Sequence, residues 1–139
     1  MSVLVDTPIW SLVFRRRPGT TSEIEQRLVR AFNRLVEEDR AILIGPIRQE
    51  VLSGIRDEHT FRRIVGVLRP FPDEPLSVAD FEEAARASNR CRAAGISGTP
   101  VDMLICAVAI RDDDEIFTAD VDFEHYRRVL PIRLFTVAS

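Results

Sequence analysis

Lysine is absent. All 19 basic residues of the 139-residue chain are arginine, which removes every mechanism that needs a lysine amine, from a phosphate-loop lysine to a Schiff base. Cysteine is scarce: Cys91 and Cys106 stand alone, with no CxxC and no Cys/His cluster. Both are expected to be buried, reduced thiols. No apolar run approaches the ~20 residues of a membrane span. The first residues lack a basic stretch followed by a long apolar segment, so no secretory signal is read and a cytoplasmic location is expected. Net positive charge is also missing. The formal charge of −3 argues against a bulk electrostatic binder of nucleic acid. His59 and His125 have no ligand spacing. No repeat, low-complexity tract or linker divides the chain, so residues 1–139 are read as one domain.

What is present is a series of short apolar runs separated by helical patterns. "SVLVD" (2–6), "AILI" (41–44), "EIFTA" (115–119) and "IRLFT" (132–136) read as strands, with another expected around Leu68–Phe71. Helices are predicted over 7–14, 22–38, from Pro46 to Ile55, and over 58–69, 77–94 and 98–111, with a short turn at 121–127. Thr7 fits a cap ahead of Pro8 at the first helical position. Ile24, Leu28, Ala31, Phe32, Leu35 and Val36 form one apolar face. Trp10, at helical spacing from Phe14, reads as core or dimer contact. "RDDDE" (111–115) reads as a solvated turn. Continuous apolar strands alternating with helices predict an α/β fold, a parallel sheet covered on both faces.

In such a sheet, ligands bind beyond the carboxyl ends of the strands. Asp6 ends the first strand, and Asp120 and Asp122 lie just past "IFTA". Glu50 and Asp102 fall in the first turns of helices that begin at that same edge. Each acid has a plainer reading. Asp6 and Asp120 could cap the helical segments after them. Asp102, three residues after Thr99, fits a capping box and suits the helix dipole. Glu50 borders the apolar face of Ile47, Val51 and Ile55, where an unpartnered carboxylate is costly. Together the acids point to one rim. Clustered carboxylates repel and call for a cation. Oxygen-only ligands favour Mg²⁺ or Mn²⁺, ions that activate water and stabilise the charge of phosphoryl transfer. Arg15, Arg16 and Arg17, in the loop after the first helix, are candidate phosphate contacts or a solvated turn. "CRAAGISGTPVD" carries a glycine-rich turn ahead of Asp102 that is either a substrate entry or a connector.

With these residues in view, the chain resembles the PIN-domain family, most closely its VapC-like toxin ribonucleases. The matching segments are "VLVDTPIW", "IGPIRQEVLSGI", "GTPVDMLICAVAI" and "IFTADVDFEHY", in order over nearly the whole chain. The resemblance implies an α/β/α sandwich with strand order 3-2-1-4-5 and Mg²⁺- or Mn²⁺-dependent cleavage of single-stranded RNA. By position it implies a catalytic quartet of Asp6, Glu50, Asp102 and Asp120, with Asp6, Asp102, Asp120 and Asp122 on the metal. Thr7 and Thr118 match supporting hydroxyls. It further implies a VapB-like antitoxin, a homodimer, and contact with operator DNA only through the antitoxin.

Rival folds fit less well. A haloacid-dehalogenase phosphatase needs a second Asp where Pro8 stands, and a lysine; a receiver domain also needs the lysine. A non-catalytic PIN scaffold is disfavoured by the intact acid set. A PIN nuclease of RNA processing would be separated from a toxin by gene context.

Overall fold

A computed structural model describes residues 1–15, 19 and 21–138. Arg16 and Arg17 therefore lie outside the described residues. In chain order the elements are β1 (Val3–Val5), α1 (Thr7–Arg15), α2 (Glu23–Glu37), β2 (Ala41–Ile42), α3 (Gly45–Ser53), α4 (Glu58–Leu68), α5 (Val78–Ala93), α6 (Pro100–Asp112), β3 (Glu115–Phe117), α7 (Asp122–Tyr126) and β4 (Arg133–Leu134).

The strands form one parallel sheet in the order β2-β1-β3-β4. Leu4 pairs with Ile42 on one side and Ile116 on the other, and Ile116 pairs with Leu134. All three residues of β1 are fully buried, as expected of a strand covered on both faces. The expected order 3-2-1-4-5 counts a fifth strand beyond β2. Its place is held by one bridge, Leu43 to Asp73. The strand expected at Leu68–Phe71 is thus displaced: Leu68 ends α4, and pairing begins only after Pro70 and Pro72, which have no N–H to donate.

From β1 the chain crosses to β2 on one side and later to β3 on the other. The sheet's switch point therefore lies between the carboxyl ends of β1 and β3.

The helices follow their patterns, with local corrections. In α2 the buried positions are Val29, Phe32 and Leu35, while Ile24 and Val36 are 69% and 39% exposed. Val36 adjoins Leu35, which is buried, so the covered face is narrower than the apolar pattern. Trp10 belongs to the core: its indole N–H donates to the Val5 carbonyl at 2.9 Å, and its ring packs edge-on against Phe32 and Phe71. Cys91 and Cys106 are buried free thiols. α6 is buried along Met103–Ala109, so it is the helix laid into the core.

The acidic run at 111–115 is more than a solvated turn. Arg111 binds Asp80, Asp112 and Glu74. Asp113 adopts a left-handed conformation that ends α6, and Asp114 is only 8% exposed.

Candidate active site

Asp6 follows β1 directly and is 4% exposed. One carboxylate oxygen accepts the Thr7 backbone N–H at 2.8 Å, and the other accepts the Thr118 hydroxyl at 2.8 Å. Its carbonyl accepts from Ile9 N–H at 3.1 Å, so Asp6, and not Thr7, holds the capping position. Pro8 is the second helical residue, one later than expected. The Thr7 hydroxyl is buried with no partner among the described residues. Burial pushes the Asp6 carboxyl up to about 6 against those two hydrogen bonds, and the charges of Asp102 and Glu50 push the same way.

Thr118 links two strand ends. Its hydroxyl donates to Asp6 and accepts the Asp120 backbone N–H at 3.0 Å. Asp120 in turn accepts the Asp122 N–H at 2.9 Å through one carboxylate oxygen. Asp120 thus braces the turn into α7, whose cap position is Val121, and its second oxygen is left for other work.

Asp102 sits in the first turn of α6, and its N–H donates to the Thr99 hydroxyl at 3.1 Å. Only this half of the capping box forms. The carboxylate turns instead to Tyr126, whose hydroxyl donates to it at 2.6 Å. Burial raises the Asp102 carboxyl above its ordinary value; Tyr126 opposes this, and the charges of Asp120 and Asp122 reinforce it.

Tyr126 is a site residue that the sequence reading missed. Its phenol is held far above its usual range by burial and by the Asp102 carboxylate. The available signal was its spacing: Tyr126 lies four residues after Asp122, on the same face of a helical turn. Gly98 makes room for this contact. A Cβ there would lie 2.6 Å from the Met103 terminal methyl and 3.4 Å from the Tyr126 ring.

Asp102, Asp120 and Asp122 each offer a carboxylate oxygen, and these three oxygens lie within 4.8 Å of one another. Asp6 is tied to the trio through Thr118 but is outside this closest group. Among the described residues, no ion pair involves Asp6, Glu50, Asp102, Asp120 or Asp122. Hard oxygen donors of one sign, with no arginine to neutralise them, fit a divalent cation such as Mg²⁺ or Mn²⁺.

One expectation is corrected, and Arg15 is placed. Glu50 is exposed, so no buried charge needs rescue there; it acts on Asp6 only through its field. Arg15 ends α1, roughly 13 Å along the helix from Asp6. Its guanidinium lies beside Gly54, 3.4 Å from where a Cβ would stand. Arg15 is thus the last residue of a helix, beside the end of α3. His59 is exposed, and His125 is half-buried beside the site.

Comparison with known proteins agrees with this architecture. The PIN domain family model matches residues 3–129. The chain is 32% identical over 131 residues to VapC ribonuclease Mb1587 of Mycobacterium bovis, covering 91% of this chain and 92% of that one. Ribonuclease VapC11 of Mycobacterium tuberculosis matches to the same extent. Among solved structures, FitAcB from Neisseria gonorrhoeae superposes with a TM-score of 0.75 at 19% identity, over 96% of both chains. VapBC2 from Rickettsia felis, bound to a promoter DNA fragment, gives 0.75 at 13% identity, over 97% of this chain and 98% of that one. With α6 delivering Asp102 to the rim where Asp6 follows β1 and Asp120 lies just past β3, and with a family model spanning all three, this chain belongs to the PIN domain family.

Proposed function

We infer that this chain is an endoribonuclease that cleaves single-stranded RNA and serves as the toxin of a toxin–antitoxin pair. The observation that carries the chemistry is the unneutralised trio of Asp102, Asp120 and Asp122 at the sheet's switch point. The extensive identity to VapC ribonucleases supports the substrate class. Mg²⁺ or Mn²⁺ bound by the trio would supply charge to offset the phosphodiester and a water of lowered pKa. Asp6, Asp102 and Asp120, with Glu50 at the margin, make up the catalytic set, and Asp122 completes the cation ligands.

The chain's own residues fix the geometry. Thr118 and the Thr7 N–H hold the Asp6 carboxylate in one orientation, and Thr118 sets Asp120 against it. Tyr126 fixes one oxygen of Asp102, which would leave the other to hold a cation. In the reaction, a water oxygen bonds to phosphorus as the bond to the leaving ribose oxygen breaks; the water gives up one proton to solvent and the leaving oxygen takes one up.

The solved neighbours include a toxin–antitoxin complex from Klebsiella pneumoniae. By the same reading, this chain pairs with a small antitoxin, forms a homodimer, and reaches operator DNA only through that partner. No helix among the described residues is long and apolar enough to cross a membrane; by the same reading the chain works as a single-domain enzyme in the cytoplasm.

Purified chain, free of antitoxin, should cut single-stranded RNA with Mg²⁺ or Mn²⁺ and stop in EDTA. Undiminished cutting in EDTA would remove the metal mechanism. No cutting with either ion would remove the ribonuclease reading.

A further inference from the structure

Two grooves flank the acidic trio, and α7 with the turn after it forms the wall between them. One, of about 470 Å³, is lined by Asp120, Glu124, Arg127 and Thr136. The other, of about 620 Å³, lies between the α5–α6 turn and α7; it is lined by Gly95, Ile96, Asp122, His125, Arg128 and Val129. Each groove thus starts at one of the trio's carboxylates.

Charge separates them. Arg127, in the smaller groove, is held by Glu124 at 2.8 Å. Arg128, in the larger, is exposed and joins no ion pair among the described residues. It is the wall's uncommitted cation next to the acids. Ile96 and Val129 are half-buried and pack on the core, so they present a firm apolar backing. Gly95, in a left-handed conformation at φ +78°, turns the chain sharply there, and no Cβ stands in the groove at that point.

Resting on the ribonuclease reading, we propose that this larger groove seats the nucleotide next to the scissile phosphate. Arg128 grips that nucleotide's phosphate, and Ile96 and Val129 back its base. An arginine fork matches phosphate oxygens, and an unstacked base needs an apolar surface against which to lie. The volume is within the ordinary range for a ligand site. Arg128 and the apolar pair are binding and positioning residues; they carry no step of the bond cleavage.

The test measures binding without cleavage. The full chain is titrated with a fluorescein-labelled single-stranded RNA ten-mer in EDTA, from 50 to 200 mM salt. Arg128→Ala should bind about tenfold more weakly and flatten the log–log salt slope by about 0.7, one single-strand phosphate. Arg128→Lys should keep the slope. Ile96→Ala should weaken binding with the slope unchanged. Arg127→Ala should match wild type in both. Equal slopes for wild type and Arg128→Ala overturn the proposal, as does a slope change confined to Arg127→Ala. If the binding pattern holds but wild type never cleaves RNA with Mg²⁺ or Mn²⁺, the nuclease reading fails and the groove stands. RNA that binds at no salt concentration overturns both.

Discussion

The two ends of α6 handle negative charge in opposite ways. At its start, Asp102 faces Asp120 and Asp122 with hydroxyls, those of Tyr126 and Thr99, and no arginine as its hydrogen-bonding side chains among the described residues. Roughly 13 Å further along the axis, Arg111 gathers Asp80, Asp112 and Glu74. There, Asp112 is held below its ordinary value by Arg111. Asp80 is held down by the Ser77 N–H and then Arg111. Glu74 and Asp114 are raised, chiefly by burial. At the start of the helix, the partly buried carboxyls of Asp6 and Asp102 are both raised. The chain thus supplies its own cation where acids stitch elements together, and forms no ion pair with the trio among the described residues.

The contrast can be broken from either end. The largest effect is expected from Asp102→Asn, which should lower RNA cleavage by about 10³-fold, the scale of losing one transition-state charge partner. Melting of the metal-free protein should not fall with it. Initial rates with Mg²⁺ check the first point and thermal melts the second; cleavage near the wild-type rate would move the metal away from α6.

Next comes pH. Without metal, Asp6 binds its proton more tightly in the folded chain, where its value is about 6, than in the unfolded chain at 3.8. Stability is therefore greatest below pH 4 and is lost as pH rises toward 6, by roughly 3 kcal/mol from this group. Asp102 adds a loss of the same sign. Urea unfolding in EDTA at pH 4, 5, 6 and 7 should show this decline, and Asp6→Asn should flatten most of it. Parallel curves for the two proteins would mean that Asp6 is solvated.

At the other end of the helix, Arg111→Ala leaves the Asp80 side chain, 5% exposed, without its cation. Breaking a buried pair costs several kcal/mol. Because Arg111 is itself one-third exposed, solvent screening reduces the expected loss to about 2 kcal/mol. The urea midpoint should fall while RNA cleavage by the folded protein is kept; an unchanged midpoint would mean that the cluster is decorative.

Smaller effects sharpen the boundary of the site. Mg²⁺ at ten times its dissociation constant should stabilise wild type by about 1.4 kcal/mol and Asp120→Asn by less. Equal gains in thermal melts would place Asp120 outside the metal shell. Tyr126→Phe should cost about 1 kcal/mol and weaken Mg²⁺ binding about tenfold. Calorimetric titration that finds wild-type affinity would reduce Tyr126 to packing.

Asp6, Asp102 and Asp120 were readable from the sequence because strand ends and helix starts in a parallel sheet share one edge, so local pattern alone places them. Asp122 came with Asp120, two residues away. Tyr126 was not readable, because its bond to Asp102 depends on how α7 docks over the Gly98 turn. Glu50 was misjudged because it borders its helix's apolar face without being covered, a difference of tens of degrees around a helix. The acidic run at 111–115 gave no hint of its arginine hub, since two of the hub's acids, Glu74 and Asp80, come from more than 30 positions earlier. The strand beyond β2 dwindled to one bridge because prolines flank it.

The hydroxyl of Thr118 joins residues 112 positions apart. At a synthesis rate of ~5–20 residues per second, Thr118 leaves the ribosome's catalytic centre roughly 6 to 22 seconds after Asp6. Until then the nascent chain already carries Asp6, Glu50 and, later, Asp102, but no assembled centre, because β3 has not yet come to lie beside β1. An enzyme that cuts RNA is thus inert beside its own message while that message is being read. The centre can assemble only after β3 has been made and laid beside β1.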